Sequence, residues 1–136
     1  MERFLGKYAP YIFAIMRIMV GWMFAMHGLQ KIFNIPPGNN PPPALLSQIG
    51  VAGIIELVGG VMIAAGFFGS FAAFICSGLM AFAYFMAHAP QAFLPLVNRG
   101  ELAVVYCFLF LYIAAHGSGV WSIDALMGKN RVRATA

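Results

Sequence analysis

Charge is what this sequence lacks most. Only 9% of its 136 residues are Asp, Glu, Lys or Arg, and Asp plus Glu number just 4. Soluble domains carry roughly 25% charged residues. From Leu57 to Asn98 there are none at all, and a soluble fold of this size could not cover such a stretch with polar surface. Cysteine is scarce too. Cys76 and Cys107 fall in separate apolar stretches without CxxC spacing, so both are expected to be small buried hydrophobes and not redox or metal-binding thiols. The chain has no Gly-rich nucleotide loop and no cluster of metal-ligand residues, so neither a nucleotide cofactor nor a metal is expected. Its net charge of +4 is not gathered into a groove-sized patch, which argues against nucleic acid as a partner.

What is present is oil: 62% of residues are hydrophobic and the mean hydropathy is +0.84. Such a chain is an integral membrane protein whose main partner is the lipid bilayer. A spanning helix needs about 20 apolar residues, so four spans use up one domain, 1–136. The expected fold is all-α, a multi-pass membrane four-helix bundle of up-down topology with a short C-terminal interfacial helix. The spans are expected over about 10–33, 46–68, 71–88 and 101–117. The first stops at "NIPPGNNPPPA", where prolines cannot continue a helix. It lacks a small-residue cleavage site and contains Arg17, so it is expected to stay as an uncleaved span. The join "GFFGS" is short enough to force spans two and three into an antiparallel hairpin. The apolar core of span four, "LAVVYCFLFLYIAA", is short and is expected to continue through His116 toward Trp121, or to sit in thinned bilayer. In "GSGVWSIDALMG" we expect a turn and then a short in-plane helix, capped by Ser122 with Asp124 in its first turn.

Orientation follows from the flanking cations. Arg3, Lys7, Lys129, Arg131 and Arg133 lie on the side of the two termini, against Lys31 and Arg99 on the other. Both termini are therefore expected in the cytoplasm.

Polar residues inside the spans carry the functional question. On a helical wheel Arg17, His27, Lys31, Gly21 and Gly28 share about one third of the surface of span one. Glycines on a membrane helix let a neighbouring backbone approach, so this stripe faces other helices. Glu56 is the one acidic residue deep in a span. At about 1.5 Å per residue, Arg17 lies about 10 Å, Glu56 about 18 Å and His27 about 25 Å from the inner end. Arg17 is thus expected to reach Glu56. Two readings stand side by side. An Arg17–Glu56 pair fixes helix register, or a polar pocket opens toward the outer half of the membrane. The pocket would be lined by Arg17, His27, Lys31, Glu56, Tyr84, His88, Glu101 and Tyr106. In it, His27 is the expected titrating group and Lys31 and Glu101 the rim. Glu101 also has a local explanation, because "NRGE" places Asn98 and Glu101 at capping-box spacing. A haem held by His27 and His88 is disfavoured, since two lone histidines form no longer pattern.

Arg17, Gly21, "HG" with Lys31, "ELVGGVMIAAG", "NRGELAVVY" and "GSGVWSIDAL" together resemble the DoxX family of small four-span bacterial membrane proteins, from about Arg17 to Leu126. Arg99 stands where such proteins commonly have glycine, and Ser118 where proline is common. The resemblance implies a four-helix bundle in a bacterial inner (cell) membrane and an association with redox chemistry, since the family is named for a subunit of a thiosulfate:quinone oxidoreductase. Two functions follow as expectations. One is an accessory redox subunit that binds a quinone or other small lipophile in the outer-half pocket, with electrons supplied by a partner such as a redox or sulfur-transfer protein. The other is a non-enzymatic scaffold or assembly factor that docks a partner, with homo-oligomers allowed. No catalytic residue is assigned, no covalent cofactor is expected, and an enzyme acting alone is not expected.

Overall fold

The computed structural model describes residues 1–128, and every regular element among them is helical. Lys129, Arg131 and Arg133, which enter the orientation argument, lie outside the described residues. A short helix α1 (Glu2–Leu5) and a 3-10 turn (Gly6–Tyr8) lead into the long α2 (Ala9–Phe33). Pro10 sits in its first turn, where a missing amide costs nothing. Left-handed Asn34 ends it, with the Asn34 amide donating to the Gln30 carbonyl. Helix α3 (Gln48–Ala65) starts at Ser47, whose hydroxyl accepts from the Gly50 amide, and stops at left-handed Gly66. Only Gly66–Phe68 separate it from α4 (Gly69–Ala83), which gives the expected hairpin. Helix α4 runs on as a π-turn (Tyr84–His88), then come α5 (Pro95–Asn98), α6 (Glu101–His116) and α7 (Ile123–Leu126). Ser122 caps α7 by accepting from the Ala125 amide, as its sequence suggests.

Three helical stretches, Glu2–Phe33, Gln48–Ala65 and Gly69–His88, are long and apolar enough to cross a membrane, and Glu101–His116 is a shorter apolar helix. The protein is an all-α membrane bundle. Its fourth helix does not continue to Trp121, because Gly117 adopts a φ of 93° and turns the chain away. Large apolar side chains such as Trp22, Phe71, Phe74 and Phe108 point outward and are mostly exposed, a surface suited to lipid. Lipid is as apolar as leucine, so helix association here rests on close packing and internal hydrogen bonds.

That packing joins two pairs, α2 with α3 and α4 with α6. A Cβ on Gly21 would press on the backbone of Gly60 and Ala64, and one on Gly28 on the backbone of Gly53 and Leu57. The expected close approach along this stripe is therefore real, and α3 supplies matching glycines. In the other pair the Ser77 hydroxyl donates to the Cys107 carbonyl at 2.8 Å. Phe24, Ile63, Cys76, Phe110 and Ile113 fill the centre between the pairs and are fully buried. Cys76 is thus the small core residue its surroundings suggest.

Candidate functional site

The two ends of the bundle use their polar residues differently. At the end carrying the N-terminus, Arg17 is fully buried. Its Nη1 donates to the Ile63 and Ala64 carbonyls, both at 2.6 Å, and its Nη2 to the Trp121 carbonyl at 2.8 Å. The first two belong to the last turn of α3, where carbonyls run short of helical partners and the helix dipole is negative; the Ile63 carbonyl also accepts from the Gly66 amide at 3.1 Å. Asp124 does the converse at the start of α4. Its carboxylate accepts from the amides of Phe68 and Gly69 at 3.0 Å and from the Ser118 hydroxyl at 2.6 Å. A buried cation and a buried anion thus clamp the α3–α4 turn to the segment after α6.

This placement corrects the expected Arg17–Glu56 pair. The glycine contacts set Gly21 against Gly60 and Gly28 against Gly53, so Glu56 lies level with about His27. Arg17 is some ten residues, or about 15 Å, further down the axis. The depth estimate fails because α2 extends well past the end of α3, so the two helices do not begin at one level.

Glu56 instead takes Lys31, one turn beyond His27, with Lys31 Nζ 2.6 Å from Glu56 Oε1. The carboxylate is 4% exposed and the lysine 36%, so the ammonium reaches the edge while the carboxylate stays inside. The π-turn brings in the third helix. Its wider spacing, with the Ala89 amide donating to the Tyr84 carbonyl, rotates His88 toward the bundle. His88 Nδ1 lies 3.0 Å from the Asn98 carbonyl. A carbonyl only accepts, so Nδ1 is the donor, and Nε2 is the ring nitrogen left for another partner. From α6 comes Tyr106, 4% exposed, its ring stacked on Phe110 at 5.4 Å and tilted against Phe24 at 5.3 Å. His27 meets the same ring edge-on at 6.2 Å.

These residues surround a cavity of about 240 Å³, lined by Phe24, His27, Lys31, Glu56, Met80, Ala83, His88, Arg99, Leu102, Ala103 and Tyr106. Every long helix contributes. The cavity lies between the two helix pairs, at the end opposite the Arg17–Asp124 clamp. Two of its lining residues carry a buried polar atom with no hydrogen-bond partner among the described residues, Glu56 Oε2 and Tyr106 Oη; Arg17 Nε at the clamp is the third such atom. Bare polar atoms of this kind cost about 1–3 kcal/mol each, which a ligand or water would recover. Lys31 also borders a second cavity of about 370 Å³ beneath the proline-rich loop.

Three of the expected lining residues stand elsewhere. Arg17 is at the clamp. Tyr84 turns its hydroxyl to the Phe93 carbonyl and the Asn98 side chain, tying down the loop before α6. Glu101 begins α6 exposed and outside the cavity. The capping box does not form either. Gly100 is the N-cap, and the buried Asn98 spends its amide on Tyr84 Oη and the Ala92 carbonyl and accepts from the Gly100 amide. His116, at the clamp end, stacks on Phe13 at 3.9 Å. The apolar part of the lining (Phe24, Met80, Leu102) was not legible in the sequence, since apolar residues in a membrane helix carry no mark of which way they face. Among the described residues no group of three or more His, Cys, Asp or Glu could hold a metal.

The DoxX family model matches residues 12–89. The chain belongs to the DoxX family. It is 43% identical over 129 residues to an uncharacterized protein of Haemophilus influenzae, a match that covers 88% of this chain and 93% of that one. No solved structure matches it. Arg99 and Ser118, both beyond the matched residues, have physical readings of their own. Arg99 has φ 58°, a left-handed conformation that glycine adopts without cost, and it puts a cation on the cavity rim. Ser118 supplies the hydroxyl on Asp124.

Proposed function

We propose that this DoxX protein is an accessory subunit of a membrane redox system that binds a quinone or other small lipophile in the cavity between its helix pairs. The observation that carries the reading is the pair of buried polar atoms without partners, Glu56 Oε2 and Tyr106 Oη, in the wall of a largely apolar cavity. The two come from different helices, Glu56 from α3 and Tyr106 from α6, and both residues line the cavity. The cavity is smaller than the roughly 300 Å³ at the low end of drug-sized sites. It suits a ring-sized headgroup with any tail left in lipid, and is too small for a haem macrocycle. The protein's own residues bind and orient such a ring, while electrons come from a partner.

We infer from the flanking cations that both termini lie in the cytoplasm, with the spans in a bacterial inner membrane and the cavity in the outer half of the bilayer. Reporter fusions in the loop 34–44 and near Met1 test that placement, and a periplasmic signal near Met1 would invert it. Saturable binding of a ubiquinone analogue to the detergent-purified protein, weakened by His27→Ala, tests the cavity. A second reading, a scaffold that docks a partner, draws on the loop between α4 and α6, where Phe93, Leu94, Leu96 and Val97 stand 60–77% exposed. A partner that co-purifies with an empty-cavity protein, and is lost when these four become serine, would favour it.

A further inference from the structure

The cavity has a hydrogen-bonding polarity of its own. Glu56 is held in an ion pair through Oε1, and a carboxylate paired in this way is an acceptor at both oxygens. Its free Oε2 therefore calls for a donor. His88 donates from Nδ1 to the Asn98 carbonyl, so that a neutral ring offers Nε2 as a second acceptor. Tyr106 Oη serves either way. The walls beside these atoms are aromatic, with Phe24 and His27 both set against the Tyr106 ring. The cationic donors of the lining, Lys31 and Arg99, stand at the cavity edge, with Lys31 36% exposed and engaged by Glu56 Oε1; a dicarbonyl ring brings only acceptors, and against the buried Oε2 it would leave two lone-pair oxygens facing each other. A ring carrying hydroxyl groups brings the missing proton.

We infer that the cavity takes the hydroxyl-bearing, reduced form of a small aromatic ring in preference to its dicarbonyl form. The inference rests on the reading of the cavity as a ligand site and adds which redox form of the ligand it holds.

Anaerobic titration calorimetry of the purified full chain with menadiol and with menadione tests it. Menadiol is expected to bind about tenfold more tightly, the effect of satisfying one buried acceptor. Glu56→Gln, whose amide can present an N–H to a carbonyl, is expected to erase or reverse that ratio. Tyr106→Phe should weaken both forms and leave the ratio in place. Monooctanoylglycerol, a membrane-lipid source of the same hydroxyl chemistry, is expected to bind more weakly than menadiol. Equal or tighter binding of menadione to the wild-type protein overturns the inference while the ligand site stands, and so does an unchanged ratio in a folded Glu56→Gln protein. Binding of the acylglycerol as tight as that of menadiol overturns the aromatic assignment. If neither ring binds saturably, the ligand site itself fails and the inference with it. Should Glu56→Gln not fold, the wild-type ratio decides alone.

Discussion

Replacing Arg17 by alanine should be among the most damaging single changes in this protein. Three carbonyls, those of Ile63, Ala64 and Trp121, accept from its guanidinium at 2.6, 2.6 and 2.8 Å. Removing it strands the Ala64 and Trp121 carbonyls in a buried site, at about 1–3 kcal/mol for each acceptor left bare, while the Ile63 carbonyl keeps the Gly66 amide. Water entering the vacated space and relaxation of the last turn of α3 recover part of that. The net loss should be about 3 kcal/mol, a large share of the about 5–15 kcal/mol by which domains are stable. Arg17→Lys keeps the charge but not the fork that serves carbonyls on two segments at once, so it should lose about half as much. The assay is equilibrium unfolding of the purified protein in mixed detergent micelles. Two double-mutant cycles sharpen it. Arg17 and Glu56 are far enough apart that their coupling should fall below about 0.5 kcal/mol. Lys31 and Glu56 should couple by about 1 kcal/mol, held down by the lysine's contact with the outside. An Arg17→Ala protein within about 1 kcal/mol of wild type, or stronger coupling of Glu56 to Arg17 than to Lys31, would refute this account of the charged residues.

Asp124→Asn keeps the shape of the side chain but sets an NH2 group against an N–H or hydroxyl donor at the start of α4. It should cost about 2 kcal/mol in the same unfolding assay. Gly28→Ala places a methyl against the backbone of Leu57 and Gly53, which cannot give way as a side chain would. The helices must part, with an expected loss of about 3 kcal/mol and weaker ligand binding because Lys31 and Glu56 straddle the same seam. Arg99→Gly removes a side chain from a left-handed residue and should stabilise the protein by about 1 kcal/mol. Binding of an anionic ring such as naphthoate should fall at the same time, since the rim loses its cation. A rise in stability without that fall would separate Arg99 from the site.

The spans were legible because apolar run length and breakers act locally. The proline-rich stretch and Gly66 each end a helix for reasons that need no tertiary structure, whereas the stop at Gly117 was read past. The glycine stripe on α2 was legible for the same reason, since its spacing is a property of one helix. What could not be read was register. Whether Glu56 meets Arg17 or Lys31 depends on how far α2 overshoots α3, which is set by Gly21 and Gly28 meeting Gly60 and Gly53 and not by either segment alone. The π-turn at Tyr84–His88 is a second example. One extra residue in a helical turn leaves no mark in composition, yet it decides that His88 lines the cavity while Tyr84 is spent on the loop. Asp124 was legible as a first-turn acid of α7. Its bonds to the start of α4 join residues more than fifty apart and were not.

The buried polar groups therefore divide by what surrounds them and not by depth or charge. Arg17 and Asp124 are as buried as Glu56 and Tyr106, but apart from Arg17 Nε they bond mainly to helix ends that need partners in any case. Such an arrangement has one low-energy state and holds the α3–α4 hairpin against the chain after α6. Glu56 and Tyr106 sit where no helix end is near, and half of one carboxylate and a whole hydroxyl stay unmet. A protein keeps such a cost in its interior when something else meets it. The clamp is also what makes the cavity possible. With the bundle fixed at one end by Arg17 and Asp124, the two helix pairs can stand apart at the other without coming undone. A ligand there would have polar atoms from α3 and α6 to bridge. By binding both pairs it would stabilise the end of the bundle that the clamp does not reach.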